Sequence, residues 1–194
     1  MRKSCAGDSS ARTPLSLAAS IAVLLALAAP GASASTSDFG STVGVASATV
    51  AWRADQLAIT VPNSASLGSG TAGSTLSASL GTVTVIDSRS GNPIWTATVA
   101  STDFTTGAPV QTITKANVSY WSGSTTASSG GGIRTPGQPT AAQKVTLTAP
   151  ATAFSGRKVI GIANSTSWEP TLVVTIPAAA AAGTYTGTIT HSVA

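Results

Sequence analysis

Two carboxylates, Asp87 and Asp103, are the residues of this sequence whose type and placement come closest to catalytic chemistry. Each ends an alternating apolar run, and a glycosidase needs two carboxyl groups about 5 to 9 Å apart across a sugar. Asp87 is followed by Ser88 and Arg89 at a turn, and Asp103 lies in STDFTTG, where bonding to the local backbone accounts for an aspartate. We interpret both as turn residues and expect that the protein is not an enzyme.

His191, the single histidine, is the other candidate for chemistry. Zinc takes three or four protein ligands, and no cysteine or carboxylate cluster accompanies this residue in the sequence. A Ser-His pair would need an orienting acid from a distant part of the chain. Calcium would need an aspartate cluster such as D-x-D-x-D, which the sequence lacks. We expect no metal and no cofactor, and we interpret His191 as a half-buried ring near the C-terminal edge.

Three aromatic residues are the candidate ligand-binding residues, namely Trp121, Tyr120 and Trp95. Trp95 shares a face with Ala97 and Val99 in the run IWTATV, so a core position is favoured over a ring that stacks on a sugar. Adjacent strand residues face opposite ways, so Trp121 points outward if Tyr120 points inward. An exposed Trp121 would be a platform for a sugar ring or a partner surface, whereas a ring folded under the following loop would not. The sequence leaves these two interpretations of Trp121 open.

Alternation of apolar residues predicts the strands that must position these side chains. Apolar residues recur at every second position in five runs, which are QLAITVP from Gln56, GTVTVID from Gly81, KVTLTAP from Lys144, TLVVTIP from Thr171 and GTYTGTITHSVA from Gly183. The alanine run before Gly183 follows Pro177 and is interpreted as a connection rather than a helix. Trp52, which alternates with Val50, is assigned to the core, and Trp168 to one end of the fold.

Turn residues separate these runs and indicate an all-β fold. The turns are SGNP at residues 90–93, TTGAP at 105–109 and a Gly/Ser-rich stretch at 122–139. Several strands joined in this way predict one antiparallel β-sandwich, immunoglobulin-like in type. The stretch at 122–139 is the longest irregular segment, and we predict a flexible loop there.

The N-terminus has the features of a secretory signal peptide. A basic start precedes an apolar stretch from Leu15 to Ala29, and the small-x-small pattern Ala32-Ser33-Ala34 follows it. The apolar stretch is shorter than the ~20 residues that a membrane span requires. We predict cleavage after Ala34, a secreted domain of residues 35–194 and no transmembrane anchor after cleavage. An uncleaved anchor is the alternative.

The charged residues and the single cysteine of the sequence limit the kinds of partner and of cross-link that we expect. The predicted secreted part has seven basic and five acidic residues, and the basic ones are scattered apart from the pair Arg157-Lys158. Nucleic-acid binding needs a concentrated basic patch, so we expect no nucleic-acid partner. The one cysteine, Cys5, precedes the predicted cleavage site, so the exported chain would have no disulfide.

Two longer segments resemble the WxL-domain family of secreted surface proteins of Gram-positive bacteria, in a divergent, actinobacterial form. The first reads GTVTVxD-x-R, a turn, then W-T-x-x-V-x-S-x-D-F-x-x-G at residues 81–107, and the second is TLVVTIPAAAAAGTYTGTIT at 171–190. Of the two W-x-L tripeptides that name the family, Trp95-Thr96-Ala97 keeps the tryptophan, and His191-Ser192-Val193 stands at the second position. The resemblance implies a non-catalytic, β-rich domain that attaches non-covalently to the cell wall through peptidoglycan.

Two hypotheses about function follow. In the first, the chain is a secreted, non-enzymatic, cell-wall-associated protein that binds peptidoglycan or another wall glycan by stacking on aromatic rings and by hydrogen bonds from Thr, Ser and Asn. In the second, it is a structural or adhesive protein that assembles with other surface proteins through sheet edges. Its Thr-rich strands lack the lysines that usually protect such edges.

Overall fold

The computed structural model describes residues 17–27 and 56–194, so that Trp52 and the predicted cleavage site at Ala34 lie outside it. The described part of the chain contains strands, two short 3-10 turns (Lys115–Asn117 and Ala141–Gln143) and no α-helix. The strands are β1 (Leu17–Leu27), β2 (Leu57–Thr60), β3 (Ser64–Gly70), β4 (Thr75–Ser79), β5 (Val83–Asp87), β6 (Ile94–Ser101), β7 (Phe104–Thr105), β8 (Thr112–Ile113), β9 (Val118–Trp121), β10 (Thr125–Ser129), β11 (Gly132–Pro136), β12 (Val145–Thr146), β13 (Ala151–Lys158), β14 (Asn164–Trp168), β15 (Thr171–Thr175) and β16 (Gly183–Val193).

The alternation of apolar and polar residues in the sequence matches an alternation in the burial of side chains along the strands. In β5, Val83 and Val85 are buried while Thr84 between them is half-buried. In β15, Leu172 and Val174 are buried and Thr175 is exposed. Successive side chains of a strand face opposite sides of the sheet, so a run with one apolar face covers a core with that face. The predicted all-β sandwich is confirmed.

Three sheets build this sandwich. The large sheet has the order β11-β13-β6-β16-β1-β3, with β7 and β8 attached beside β16. The β5 sheet has the order β10-β14-β5-β2, and the β9 sheet has the order β12-β9-β15-β4. Their pairings are antiparallel, except that β1 runs parallel to β3.

One face of the large sheet covers two apolar cores, which lie side by side along it. Val99 on β6 packs in a core with Tyr120 and Leu172 of the β9 sheet. Trp95 and Ala97, on the same face of the same strand, pack in a second core with the β5 sheet. The sandwich therefore has one long layer opposite two short ones, and the second core is the more aromatic.

The second core is organised by three stacked rings. Phe154 lies between Trp168, at a centroid distance of 4.8 Å, and Trp95, at 6.4 Å, with interplanar angles of 23° and 21°. Gly156 faces this stack, because a side chain at that position would overlap the indole of Trp95. Trp168, expected at one end of the fold, is fully buried in this core.

The apolar stretch that resembles a signal peptide is a strand of the large sheet. Residues 17–27 form β1, which lies between β16 and β3, and both Ile21 and Val23 are buried in the first core. The strand pattern of the sequence does not assign these residues to the sheet, and the predicted domain begins after them. No helix in residues 17–27 and 56–194 is long and apolar enough to cross a membrane.

The Gly/Ser-rich stretch at 122–139, predicted as an irregular loop, instead contains two strands. β10 pairs with β14 in the β5 sheet, and β11 pairs with β13 in the large sheet. Its two ends are tied together, since the Ser122 hydroxyl donates to the Gln138 carbonyl at 3.0 Å and the Gln138 amide donates to that hydroxyl at 3.1 Å. Small polar residues occupy exposed positions of these strands. Composition alone does not distinguish such strands from a loop.

Arg134 joins these two strands where the chain changes sheets. Its Nη2 donates to the carbonyls of Ser129 and Gly130 at 2.7 and 2.8 Å, and its Nε donates to the Thr166 hydroxyl at 3.1 Å. One guanidinium thus satisfies carbonyls of the corner and contacts β14. The side chain acts as a polar bridge between the edges of two sheets.

Removal of this bridge is expected to destabilise the corner. For Arg134→Ala we expect the free energy of unfolding to fall by about 2 kcal/mol, since each hydrogen bond to a charged group contributes about 1.5–3 kcal/mol and water replaces part of it. Arg157→Ala is the matched control, because Arg157 is exposed and no hydrogen bond of its side chain is found in the described structure. Urea unfolding measures both, and equal stabilities of the two variants would contradict the bridging role.

Candidate functional site

The outward face of the β9 sheet is a flat surface with one indole among hydroxyl groups. In β9 the inward residues Val118 and Tyr120 are fully buried, so Ser119 and Trp121 point outward. Cross-strand pairing aligns the outward residues in two rows, Trp121 with Thr171 and Ser79, and Thr146 with Ser119, Val173 and Ser77. We call these seven residues the Trp121 face.

Trp121 itself is half-buried. The ring is thus intermediate between the two arrangements that the sequence leaves open, an exposed platform and a ring folded under the following loop. Its Cζ3 atom lies 3.8 Å from the position a side-chain carbon would have on Gly123. Gly123 has a φ of +71° and its missing side chain would lie 3.3 Å from the Glu169 carbonyl, so glycine suits this position. The ring is therefore supported on one side by the backbone turn after β9 and is partly open on the other.

The hydroxyl groups beside the indole are available for a ligand. Within the described structure, the side-chain oxygens of Ser77, Ser119 and Thr171 make no hydrogen bond, while that of Ser79 accepts one from the Gly81 amide at 3.0 Å. The face carries no ionisable residue. A surface of this kind can stack on the apolar side of a sugar ring and exchange hydrogen bonds with its hydroxyls, with little dependence on charge.

Trp95 and Tyr120 are not part of any exposed surface. Trp95 is 1% exposed and Tyr120 is fully buried, so neither can contact a ligand without unfolding of the core. The core interpretation of Trp95 is confirmed, and the inward direction of Tyr120 is confirmed with it. The assignment of these two residues to ligand binding is corrected, and of the three predicted residues Trp121 alone reaches the surface.

Tyr120 has a structural partner in His191. The Tyr120 hydroxyl lies 3.2 Å from His191 Nε2, and the two rings are tilted by 57° at a centroid distance of 5.7 Å. Burial raises the pKa of the Tyr120 hydroxyl well above its ordinary value, so this group stays protonated. The pair is a neutral hydrogen bond that links the β9 sheet to the large sheet.

The position of His191 in the structure differs from the position that the sequence predicts. It is fully buried rather than half-buried, and β16 lies between β6 and β1, so the residue is central in its sheet rather than near an edge. Burial lowers its pKa from 6.5 to about 4, because the charged ring would lose its hydration. Its Nδ1 atom has no hydrogen-bond partner among the described residues, so a proton there would be buried and unpaired.

Neither carboxylate is arranged as an acid or base facing a cleft. Asp87 is fully buried and is held by Arg89, whose backbone amide and Nε bond Oδ1 at 3.0 Å and whose Nη2 bonds Oδ2 at 3.1 Å. The turn interpretation of Asp87 is confirmed by this local bonding. Asp103 differs, since its Oδ1 accepts from the backbone amide of Lys115 at 2.7 Å, twelve residues away. Each carboxylate fastens a segment of backbone.

An exposed apolar patch was not among the sequence predictions. Ile94, Arg157 and Ile133 form a row across β6, β13 and β11, and the first and last are 66% and 64% exposed. Val159 and Ile160 lie beside Ile133 and Arg157 of this row and line a shallow depression of about 390 Å³ with them. We call these five residues the isoleucine patch. The signal in the sequence is Ile94, which is out of phase with the inward residue Trp95, together with the apolar run VIGI at 159–162.

Among the residues that the structure describes, no group of three His, Cys, Asp or Glu side chains could hold a metal ion.

The comparisons with known proteins leave the family of this chain open. No protein-family model matches the sequence, and neither the curated proteins nor the solved structures contain a match.

Proposed function

We propose that this protein is a secreted, non-enzymatic surface protein that attaches non-covalently to the cell wall by binding a wall glycan on the Trp121 face. The observation that carries the proposal is a supported, half-buried indole that points outward beside hydroxyl groups, among them those of Ser119 and Thr171, that make no hydrogen bond in the described structure. The N-terminal sequence features and the resemblance to WxL domains support export and a wall ligand. Peptidoglycan is the ligand class that this resemblance implies.

The chemistry of the Trp121 face fits a neutral sugar better than a charged polymer. A sugar ring presents axial C–H groups to an indole and equatorial hydroxyls to its surroundings, so stacking on Trp121 brings those hydroxyls near Thr171 and Ser119. The face is uncharged, so it gives an anionic polymer nothing to pair with. Repeating glycan units can lie along the two rows, and attachment of a surface protein needs only modest affinity per unit, because a wall offers many of them.

Co-sedimentation with purified peptidoglycan tests this proposal. We expect the exported protein to pellet, and Trp121→Ala to weaken binding about tenfold, since loss of one stacked ring corresponds to about 1.4 kcal/mol. Ile133→Ser is the control, because it removes an exposed apolar side chain from the isoleucine patch and leaves the Trp121 face intact.

Two outcomes would oppose the proposal. A folded wild type that stays in the supernatant would exclude wall binding, and equal pelleting of wild type and Trp121→Ala would place any binding elsewhere. Salt gives a further check, because binding by an uncharged face should change little between about 0.05 and about 0.5 M salt, where screening removes contacts between exposed charges.

The isoleucine patch favours a second candidate function, that of a structural or adhesive protein that binds other surface proteins. Its exposed isoleucines flank a basic side chain, and β11, which carries Ile133, is an edge strand of the large sheet. Exposed apolar patches of this kind are typical of protein contacts. Loss of a protein partner in Ile133→Ser, with wall pelleting unchanged, would support this function.

A further inference from the structure

Lys158 is a basic residue that the fold buries without an opposite charge. It ends β13 two positions after Gly156, which faces the indole of Trp95, so its side chain leaves the strand on the same inward face. The residue is 3% exposed, and its ammonium makes no hydrogen bond and no ion pair in the described part of the chain. Lysines are almost never fully buried unless they are paired, because a buried charge loses its hydration. Lys158 therefore resembles one half of an ion pair whose other half the described residues do not supply.

The ammonium of Lys158 opens on a surface depression. Its Nζ is not among the buried side-chain atoms that lack a partner, so the exposed 3% of the residue includes this atom. Lys158, Gly132 and Asn92 complete the lining of the depression of about 390 Å³ beside the isoleucine patch. Gly132 stands opposite Lys158, and a side-chain carbon there would lie 3.0 Å from the Cα of the lysine, so β11 leaves this side uncovered. We call this hollow the Lys158 depression.

A second polar atom without a partner lies in the lining of the Lys158 depression. Asn92 is in the turn between β5 and β6, and its Oδ1 is buried with no hydrogen bond to any described residue. Buried polar atoms of this kind are rare in folded proteins and call for an explanation such as a bound molecule. A carboxamide oxygen is an acceptor and an ammonium is a donor. The depression therefore lacks both an acceptor for Lys158 and a donor for Asn92.

Two basic and no acidic side chains line the Lys158 depression. The second basic residue is Arg157, which is exposed and has no polar partner among the described residues. Asp87, the buried acid of β5, is already bonded by Arg89 and makes no ion pair with Lys158. The positive charge of the depression is thus uncompensated, and a ligand that fits it carries a negative charge.

We propose that the Lys158 depression binds the carboxy-terminal end of a partner polypeptide whose last residue is aliphatic. The α-carboxylate accepts hydrogen bonds from Lys158 and Arg157, and the amide N–H of the same residue donates to Asn92 Oδ1. The aliphatic side chain packs on the apolar residues of the isoleucine patch. The inference deepens the second candidate function and rests on it in one respect, namely that the isoleucine patch contacts a polypeptide.

Other anions match only part of this lining. Inorganic phosphate would pair with the two basic side chains and leave the apolar ones, Ile133, Val159 and Ile160, in water. An aliphatic carboxylate without an amide would pair and pack, but it has no donor for Asn92. A volume of about 390 Å³ is that of a small ligand site, and the edge strand β11 beside it is a place where an extended chain can pair. The end of a polypeptide has all of these features together.

Titration of the full-length chain with synthetic peptides tests the inference. The probe is N-acetyl-alanyl-alanyl-valine with a free carboxylate, and its matched control is the same peptide as a carboxamide, which keeps the side chains and lacks the charge. We expect calorimetry to show saturable binding of the carboxylate and about tenfold weaker binding of the carboxamide, since a hydrogen bond to a charged group is lost. Hexanoate and inorganic phosphate should also bind more weakly than the peptide.

Substitution of Lys158 by methionine separates binding from folding. Methionine is similar in length, and an apolar side chain in place of an unpaired buried charge does not destabilise a fold. We expect Lys158→Met to unfold in urea at the wild-type concentration or above it, and to bind the carboxylate peptide about tenfold more weakly. Lys144→Met is the matched control, because Lys144 is exposed and lies outside the depression, and it should bind as wild type does.

Substitution of Asn92 by aspartate gives an independent check. Asn92→Asp keeps the shape of the side chain and places a carboxylate in the lining of the depression. This carboxylate should supply the missing opposite charge, so the variant should be at least as stable as wild type and should no longer bind the carboxylate peptide. An unchanged affinity in Asn92→Asp would contradict the proposed site.

The outcomes separate this inference from the proposed functions. Equal affinity for the carboxylate and the carboxamide, or wild-type affinity in Lys158→Met, would overturn the carboxylate site, as would binding of phosphate alone. Wall pelleting depends on Trp121 and would be unaffected by any of these results. A protein partner that is lost in Ile133→Ser and retained in Lys158→Met would keep the isoleucine patch as a contact surface and remove the proposed site from it.

Discussion

Replacement of Trp95 by alanine is expected to lower the free energy of unfolding by about 3–5 kcal/mol, the range found for a large aromatic ring removed from a core. Trp95 is 1% exposed and ends the ring stack that continues through Phe154 to Trp168. Its removal leaves a cavity between the large sheet and the β5 sheet, which the rigid strands cannot close. Urea unfolding followed by far-ultraviolet circular dichroism measures the change.

Substitution of Gly156 tests the packing around Trp95 in the opposite way, by adding volume beside the indole rather than removing it. A methyl group there would overlap the indole of Trp95, so Gly156→Ala should destabilise by about 1–3 kcal/mol. Gly107→Ala is its matched control, because no atom lies within 4 Å of the added carbon. If Gly107→Ala were as destabilising as Gly156→Ala, the ring stack would not be what constrains residue 156.

Acidification from pH 7 to pH 4 is expected to remove about 3 kcal/mol of stability through His191 alone. The pKa of His191 is about 4 in the folded chain against 6.5 when it is exposed, so between these values the unfolded chain binds a proton and the folded chain does not. Stability is therefore fully present above pH 6.5 and falls as the pH decreases towards 4. Chemical unfolding at a series of pH values measures this slope.

Two substitutions distinguish His191 from the carboxylates that also titrate in acid. His191→Leu should abolish the slope between pH 6.5 and pH 4.5, although it leaves the Tyr120 hydroxyl without its partner. Tyr120→Phe should retain the slope, because His191 stays buried when that hydroxyl is removed. An unchanged slope in His191→Leu would assign the acid sensitivity to other groups.

The strands were predictable from the sequence because their burial follows residue type. Val83 and Val85, or Leu172 and Val174, alternate with hydroxyl residues, and this alternation needs no knowledge of the partner strand. The alternation does not show which strands are neighbours in a sheet. The division of one sandwich face into two cores depends on long-range pairing, such as that of β6 with both β13 and β16, which no local pattern contains.

Two segments escaped prediction because composition was a misleading guide. Residues 17–27 are as apolar as a signal peptide and also fit a buried central strand, since both need a short run of apolar residues. Residues 125–136 look like a loop because they are Ser-, Thr- and Gly-rich, yet exposed edge strands tolerate the same residues. Arg134, which holds this corner, gives no local signal because its acceptors are mostly backbone carbonyls.

The candidate site was predictable in part. Opposite directions of Tyr120 and Trp121 follow from strand geometry alone, and the structure has them so. The hydroxyl rows beside Trp121 were beyond sequence reasoning, since they arise from the register of β9 with β15 and of β15 with β4. The isoleucine patch was missed for the same reason, because Ile94 and Ile133 become neighbours only through Arg157 on the strand between them.

Intrinsic fluorescence tests the role of Trp121 most directly. In a Trp52→Phe background, the emission of the described tryptophans comes from the buried Trp95 and Trp168 and from the half-buried Trp121. Titration with soluble peptidoglycan fragments should shift this emission saturably and protect it from acrylamide, because a sugar covers the one accessible ring. The same titration of Trp121→Phe should show no change. If emission stays constant while the protein still pellets with the wall, the glycan does not bind on the Trp121 face.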